Sequence, residues 1–334
     1  MDIIYKSKFL CRLYCWVSQL RYPQFKKEVE NRAKLDLFEY KQIAQPLPKC
    51  YYELCTDNNC FGIGWSIRHY TGQLKRKYIN ALSEHGYFFG SYVQPKEKII
   101  FEKRILTFSD VRKKYIEDAV SGKDVYPIGP YIHYAPQYYD EERLFREKEK
   151  LGRVLLVFFS HSSTGVSVSF DVDFLVDKIN SIRNRFDTVV VSLFWSDINP
   201  TIENRLLKEG YRIFSSGHRY DYYFLSRQKT MITLADMTMS NAIGTHIAYC
   251  CYLGKPHWVV RQDIKEIAVT PKGKANIAIS KKIDNEPESA KQQDELYTVF
   301  SNYSEVLTFE QKEICNKLFG FDRVRTPCEL LKFI

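Results

Sequence analysis

The sequence lacks the signatures of several large nucleotide-binding classes. It contains neither a G-x-x-x-x-G-K phosphate loop nor a G-x-G-x-x-G fingerprint, which disfavours P-loop NTPases and ordinary dinucleotide oxidoreductases. It also lacks a long Lys/Arg tract, RNP-like aromatic residues and a zinc-finger spacing, so nucleic acid is not an expected partner despite the formal net charge of +9. An anionic membrane surface and a phosphate-bearing substrate remain as partners for a basic chain.

Cysteine is present, but without a recognisable framework. The nine cysteines are odd in number, and Cys50, Cys55 and Cys60 recur every five residues with no His pair to complete a zinc site. We therefore expect reduced thiols in a cytoplasmic protein, with no metal and no cofactor.

No apolar run is long enough to span a bilayer, and no signal peptide is recognisable. The most apolar early segment, KFLCRLYCWVSQLRYPQF, is interrupted by Arg12 and Arg21. It predicts a helix with one apolar side, which either packs in the core or lies on the inner membrane as a basic amphipathic helix. We favour the core interpretation because it is the commoner one. The residues of that side are Phe9, Leu10, Leu13, Trp16 and Val17.

The second half of the chain alternates between two patterns. Apolar runs of strand length are separated by segments with helical spacing, which predicts an α/β fold with a parallel sheet covered on both faces. The predicted strands are 152–160, 187–195, 211–217, 236–240 and 255–260, and the predicted helices are 171–186, 199–210, 221–235 and 242–254.

The rest of the chain is less regular. We predict helices at 23–45, 107–120 and 140–152, a turn or loop at 57–65, a helix or strand at 77–92, a linker at 125–139, and loop and helix at 262–305. The predicted domains are residues 1–135, residues 150–305 and a helical tail of residues 306–334.

Polar clusters directly follow the predicted strands. In an open parallel sheet, ligands bind beyond the carboxyl ends of the strands, so these clusters form the candidate site. They are 160–165, 195–197, 215–221 and 240–246.

The cluster MSNAIGTH precedes a predicted helix that begins near Ala242. The free N–H groups and the dipole of a helix N-terminus favour an anion, such as the diphosphate of a nucleotide sugar. Ser240 or Asn241 can cap this helix. Thr245 and His246, one turn in, can reach a phosphate oxygen. The alternative is an ordinary capped helix with a buried histidine.

The cluster FFSHSSTG resembles a phosphate-cradling loop in composition, and the alternative is a polar turn. Farther along, Arg219 beside His218 can balance phosphate charge. The pair Asp171 and Asp173 could hold a divalent metal, but its place at a helix start favours capping. The candidate cradle residues are Ser160, His161, Ser162 and Ser163.

A His-Gly pair in SEHGYFFG lies in the first half. His85 suits a general base because imidazole titrates near neutral pH. Glu84 is either a competing base or a group that orients His85, and a purely structural histidine is the alternative.

Together, IGPYIHYA, FFSHSS, FWSDI, GHRYDYYFLSRQK and LADMTMSNAIGTHIAYCCYLGKP resemble bacterial glycosyltransferases of the GT-B fold from surface-polysaccharide (capsule or O-antigen) clusters. The likeness extends more distantly to capsule transferases and teichoic-acid-type polymerases. It covers about residues 125–260 and is thin elsewhere. The first domain departs from the pattern because it is short and lacks a clear Gly-rich first loop.

The resemblance implies two Rossmann-like domains across a cleft, with C-terminal helices. It implies metal-independent, inverting transfer from a nucleotide-sugar donor, bound by the second domain, to a glycan or lipid-linked acceptor at the first. The alternatives are a nucleotide-sugar epimerase of the same architecture and a non-catalytic carbohydrate- or nucleotide-binding subunit. The resemblance also assigns roles to individual residues. The donor phosphates are contacted by Ser240, Asn241, Thr245 and His246, and the cleft is lined by Ser160, His161, Ser162 and Ser163. The nucleotide lies near His218 and Arg219, and the candidate base is His85.

Overall fold

The computed structural model describes residues 2–76 and 78–334. Lys77, where the predicted segment 77–92 begins, lies outside the described residues. The N-terminal region is helical, and it packs against the second half of the chain through Phe25, whose ring lies 5.3 Å from that of Tyr222. It contains α1 (Asp2–Lys6), α2 (Lys8–Gln19), α3 (Tyr22–Arg32), α4 (Tyr40–Ile43), a 3-10 helix (Thr56–Gly62) and α5 (Ile63–Tyr70).

A small parallel sheet follows, with strand order β1-β2-β3. The predicted helix at 107–120 is confirmed, and the Ser109 side chain caps it by accepting a hydrogen bond from the Arg112 N–H. The sheet and its helices are β1 (Leu82–Ser83), α6 (Pro95–Ile99), β2 (Arg104–Thr107), α7 (Asp110–Ala119) and β3 (Asp124–Pro127).

The second half forms a five-stranded parallel sheet in the order β7-β6-β4-β8-β9. The predicted alternation of strands and helices is confirmed. The strand order reverses between β4 and β8, which is where ligands bind in doubly wound folds. The elements are α8 (Glu141–Leu151), β4 (Val154–Phe158), β5 (Val166–Ser169), α9 (Val172–Asn180), β6 (Thr188–Ser192), α10 (Pro200–Lys208), β7 (Arg212–Phe214), α11 (Phe224–Leu234), β8 (Met237–Ser240), α12 (Thr245–Tyr252) and β9 (His257–Val259).

The chain then adds elements that the sequence patterns did not separate. Strand β10 pairs antiparallel with β5, outside the main sheet. The stretch TPKGK is the start of a helix, because Thr270 caps it by accepting from the Gly273 N–H. These elements are β10 (Lys265–Ala268), α13 (Pro271–Asp284), α14 (Pro287–Phe300), α15 (Phe309–Phe319) and α16 (Pro327–Leu330).

The two sheets share one hydrophobic core. Leu106 and Phe108 of the first half belong to the same buried cluster as Leu156 of the second. The predicted linker at 125–139 is wrong, because this segment contains β3 and its Tyr131 is fully buried in that cluster. Its Pro and Tyr residues serve packing rather than flexibility.

The predicted loop at 57–65 is also wrong, since it forms a 3-10 helix and the start of α5. The C-terminal tail forms the two predicted helices and returns to the first half, where Phe333 stacks on Tyr126 with ring centroids 4.3 Å apart. The tail therefore joins the two halves.

The apolar side of helix α2 is exposed, whereas the interpretation that we favoured from the sequence places it in the core. Its buried side carries Cys11 and Cys15, whereas Phe9 is 72% exposed and Trp16 61% exposed. The expectation that the apolar side packs in the core is therefore wrong. No helix in the described part of the chain is long and apolar enough to cross a membrane.

Candidate functional site

A cavity of about 940 Å³ lies between the carboxyl edge of the second sheet and loops of the first half. This volume is within the range of small-molecule sites. Aromatic side chains make up much of its wall: Phe61, Phe89, Phe158, Phe159, Phe194, Phe224, Tyr249 and Tyr297.

The point where the strand order reverses forms the floor of the cavity. Ser160, after β4, donates from its N–H to the Asn241 Oδ1 at 2.8 Å, and its hydroxyl donates to the same oxygen at 2.9 Å. Asn241 follows β8, and its amide nitrogen donates to Gln262 Oε1 at 3.1 Å. Both predicted residues line the cavity, and their hydrogen bonds hold the two strand ends together.

Helix α12 points its N-terminus at the cavity without a side-chain cap. It begins at Thr245, three residues later than predicted, because Ser240 and Asn241 bond elsewhere. The Ser240 hydroxyl donates to the Ala242 carbonyl and pairs with His257 Nε2, so Ser240 is buried beneath the cavity.

The residue before α12, Gly244, lines the cavity with Thr245 and His246. Within residues 2–76 and 78–334, no acceptor is bonded to the backbone N–H of Thr245 or His246. Two unpaired donors and the positive end of the helix dipole therefore face an open space, an arrangement that suits an anion.

The His246 side chain forms part of the cavity wall, and one of its ring nitrogens has no partner among the described residues. Its ring stacks on Phe158 at 5.0 Å, and no described residue bonds the buried Nε2. Burial and, to a smaller extent, the nearby charge of His161 lower the pKa of His246 to about 3, and they outweigh a hydrogen bond to the Ala242 carbonyl that raises it. The imidazole is therefore neutral. Since the bond to the Ala242 carbonyl uses its one N–H, Nε2 is a hydrogen-bond acceptor.

His85 enters the cavity from the first half as part of a charged triad. Its Nδ1 lies 3.2 Å from Asp57 Oδ2, and Asp57 also forms an ion pair with Lys96. Burial alone raises the pKa of Asp57, but the hydrogen bonds and charges of His85 and Lys96 outweigh it and lower the pKa to about 2. The carboxylate therefore stays ionised beside His85, as in pairs that orient a catalytic imidazole.

Sequence reasoning missed Asp57, which sits in the stretch DNNCFG. The structure buries Asp57 and the two asparagines after it, whereas a run of three such polar residues in the sequence is typical of an exposed turn.

Glu84 does not line the cavity. Its carboxylate is fully buried and pairs with the equally buried Arg112 at 2.6 Å, while Thr107 donates to its other oxygen. This ion pair supports the loop that carries His85.

The loop after His85 touches helix α12 directly. The Tyr87 N–H donates to the Thr245 hydroxyl at 3.1 Å, across the two halves of the molecule. Phe61 lines the same wall with a left-handed φ of 58°, which is rare for a residue with a side chain. Next to it, a Cβ on Gly62 would meet the Tyr222 carbonyl oxygen at 2.2 Å, so only glycine fits there.

Of the other three candidate cradle residues, only His161 lines the cavity. His161 lines the cavity, exposed and against Phe194. Ser162 instead accepts from the Val168 N–H with its hydroxyl, and Ser163 pairs with Val166 through the backbone. Ser162 and Ser163 therefore form a turn into β5, outside the cavity lining.

His218 and Arg219 also lie outside the cavity lining. His218 is buried against Trp195, and burial and the charges of Arg32 and Arg219 lower its pKa to about 4. Arg219 donates to the Thr164 hydroxyl at 2.8 Å and to the Cys60 sulfur at 3.3 Å. This arginine therefore bridges the two halves.

The far end of the cavity is charged, which the sequence did not indicate. It is built by the loop before β10, by β10 itself and by α13, and it combines carboxylates with ammonium groups. The residues are Asp263, Lys265, Glu266, Lys281 and Asp284.

The Asp-x-Asp pair does not face this cavity. Asp171 caps α9 by accepting from the Phe174 N–H, as predicted, and Asp173 pairs with Arg205. Among the residues that the structure describes, no group of three or more His, Cys, Asp or Glu side chains is arranged to hold a metal.

Comparison with known proteins gives little guidance. No family model matches the chain, and no curated protein matches it. One solved structure that it resembles is Medicago truncatula UGT71G1 in complex with UDP-glucose, at 13% identity and a TM-score of 0.34. The match covers 71% of this chain and 55% of the other. At that TM-score, nothing about fold or activity follows from the likeness.

Proposed function

We propose that this protein is a glycosyltransferase that moves a sugar from a nucleotide-sugar donor to a hydroxyl group of a glycan or lipid-linked acceptor. The observation that carries the proposal is the uncapped N-terminus of α12, which opens into the cavity where the strand order reverses. The similarity of the sequence motifs to surface-polysaccharide glycosyltransferases supports the same function.

The donor diphosphate lies against the free N–H groups of Thr245 and His246 in this proposal. Because Nε2 of His246 is a buried acceptor, the imidazole offers no donor to the phosphate oxygens, and the backbone N–H groups bind them. The carboxylates at the far end of the cavity are further acceptors for hydroxyl groups. Aromatic walls suit the base and the sugar faces.

His85 acts as the general base. It removes the proton of the acceptor hydroxyl as that oxygen attacks the anomeric carbon, and Asp57 stabilises the imidazolium that forms. The bond from the anomeric carbon to the diphosphate breaks, and the departing charge develops at the N-terminus of α12. Fixed donors of this kind supply a large share of transition-state stabilisation. Attack from the side opposite the leaving group inverts the configuration.

The charge of the leaving diphosphate is met by backbone N–H groups and the helix dipole in this mechanism. We therefore expect transfer to continue when EDTA is present. A complete dependence on a divalent ion would contradict this part of the proposal.

The decisive experiment combines binding with product analysis. Nucleoside diphosphates and nucleotide sugars are screened by thermal shift, since a ligand that binds only the folded state raises the melting temperature. The nucleotide sugar that binds is then incubated with and without an oligosaccharide acceptor. Transfer only in the presence of acceptor supports the proposal. An isomerised donor indicates an epimerase, and binding without turnover indicates a non-catalytic subunit.

The His85→Gln variant separates chemistry from binding. Loss of the general base should lower the transfer rate by about 100- to 10,000-fold while the affinity for the donor stays the same. His69→Gln is the matched control, because His69 is an exposed histidine on α5 outside the cavity lining. Equal rates for the two variants would overturn the role of His85.

A further inference from the structure

Helix α2 carries an exposed apolar stripe that no other part of the described chain covers. Positions 9, 13, 16, 17 and 20 recur with helical spacing on the side opposite Cys11 and Cys15. All five side chains are at least 45% exposed, and Ile3 in α1 adds a sixth. The stripe residues are Phe9, Leu13, Trp16, Val17 and Leu20.

The helix that carries the stripe is capped and hydrogen-bonded to the rest of the chain. Ser7 caps α2 by accepting from the Leu10 N–H, and the Ser18 hydroxyl accepts from the Tyr51 N–H at 2.6 Å. On the buried side, Cys11 packs on Leu54. The exposed face is therefore displayed by a helix with its own buried contacts rather than by a frayed end.

Basic side chains surround the stripe. Residues 2–27 contain six Lys or Arg and one acidic residue, Asp2. All six basic residues are exposed, and none of the carboxylates whose side chains the structure describes pairs with Lys8, Arg12 or Arg21. The six are Lys6, Lys8, Arg12, Arg21, Lys26 and Lys27.

We propose that α1 and α2 form a membrane-docking surface that binds anionic phospholipid, with the stripe inserted at the level of the headgroups. Exposed apolar side chains flanked by unpaired cations match an interfacial amphipathic helix, in which apolar burial and attraction to anionic lipid act together.

The charges argue against a second copy of the chain as the occupant. In a twofold dimer the same patch meets itself, so the two sets of six basic residues would approach each other with one acidic residue apiece. An anionic bilayer neutralises the same charges.

The test is co-flotation of the full chain with lipid vesicles. Vesicles of phosphatidylglycerol and phosphatidylethanolamine should bind the protein at low salt, and pure phosphatidylcholine should bind it at least about 100-fold more weakly. High salt should weaken the binding. Because the assay contains no nucleotide sugar, its result is independent of glycosyl transfer. Failure of the wild-type chain to float with anionic vesicles overturns the proposal.

Two double variants locate the surface. Phe9→Ser with Trp16→Ser should lower vesicle affinity by about 100-fold, since each buried aromatic side chain contributes to partitioning. Phe145→Ser with Phe309→Ser is the matched control, because those phenylalanines are similarly exposed on α8 and α15. Circular dichroism should show both variants folded, and Leu20→Ser gives a milder second test.

Lys8→Gln with Arg12→Gln should lower affinity for anionic vesicles by about 20-fold and leave the weak binding to phosphatidylcholine unchanged. Sedimentation without lipid completes the test. If the Phe9 and Trp16 substitutions convert a dimer to a monomer and leave flotation unchanged, the stripe is a contact between copies of the chain and the membrane proposal fails.

Discussion

Of the three histidines that line the cavity, His85 and His246 differ in which ring nitrogen lacks a partner. His85 has a carboxylate at Nδ1, so its ring is oriented and its other nitrogen is open to a substrate. His246 is neutral and keeps an acceptor atom without a partner. A buried polar atom with no partner is unfavourable, so the unpartnered nitrogen of His246 requires an explanation.

We predict that Asp57→Asn lowers the turnover number for glycosyl transfer by about 100-fold or more and leaves the KM for the donor nearly unchanged. The substitution keeps the shape of the side chain but removes the charge that stabilises protonated His85. Steady-state kinetics and a melting curve check this prediction. An increase in KM with unchanged turnover would indicate that Asp57 only supports the fold.

The buried histidines also predict a loss of stability in acid. His246 and His218 have pKa values of about 3 and about 4 in the folded chain, lowered mainly by burial. Since their unfolded pKa is near 6.5, the unfolded chain binds more protons, and stability falls as pH drops below that value. About one pH unit below it, each histidine costs about 1 kcal/mol.

Melting temperatures measured between neutral pH and this acidic point check the loss. His246→Gln should reduce the acid sensitivity, because it removes one of the groups that take up a proton only on unfolding. Identical pH profiles for the variant and the wild-type chain would contradict the assignment.

Among elements, the strands of the second sheet could be predicted from sequence and α2 could not be placed. Parallel strands buried on both faces read as continuous apolar runs, as in β4 and β6. An amphipathic helix reveals an apolar face but not what covers it, so the same pattern in α2 fitted both a core and a membrane.

The residues of the candidate site could be predicted from sequence only where the topology of the sheet alone places them. The rule for carboxyl ends brought together Ser160 and Asn241 because it depends only on topology. Asp57 and the charged end at β10 could not be predicted, since their positions depend on how distant loops pack on that edge.

The start of α12 gives a prediction at the scale of an element. Gly244→Asp should place a carboxylate at the N-cap, where it accepts from the free N–H groups. The unliganded protein should gain about 1 kcal/mol of stability, and affinity for nucleoside diphosphates should fall by about tenfold or more, because the carboxylate occupies the anion position.

Gly244→Ala is the matched control. It adds the same Cβ, which meets His246 at 3.0 Å, without the carboxylate. Gly244 has an extended backbone that other residues adopt, so neither variant requires strain at φ. Thermal shift and calorimetric titration measure both effects, and equal diphosphate affinity in the two variants would contradict an anion site at this helix end.

At the scale of the whole molecule, buried ion pairs explain why the first half was harder to predict. Glu53 pairs with Arg68 and Glu84 with Arg112, all deep in the interior. Charged residues of this kind make core-forming segments look like surface, and β1 has only two residues to show a pattern. The halves are nevertheless bound together by the shared core and by the returning tail.

Two phenylalanines of helix α15 provide a matched pair of substitutions that tests whether the returning tail holds the two halves together. Phe319, at its end, is fully buried against Tyr87 and Phe108 of the first half, whereas Phe309, at its start, is 72% exposed. Phe319→Ala should lower the free energy of unfolding by about 3–5 kcal/mol, and Phe309→Ala should change it by less than about 0.5 kcal/mol.

Because the core is continuous, Phe319→Ala should lower the single unfolding transition as a whole rather than release one half. Tyr87 also donates to Thr245, so loosening it should weaken the contact between the His85 loop and α12, and transfer should slow even at temperatures where the variant is folded. Differential scanning calorimetry and activity assays measure the two effects. Two separate transitions, with the second at the wild-type temperature, would show that the halves fold independently and that the tail does not join them.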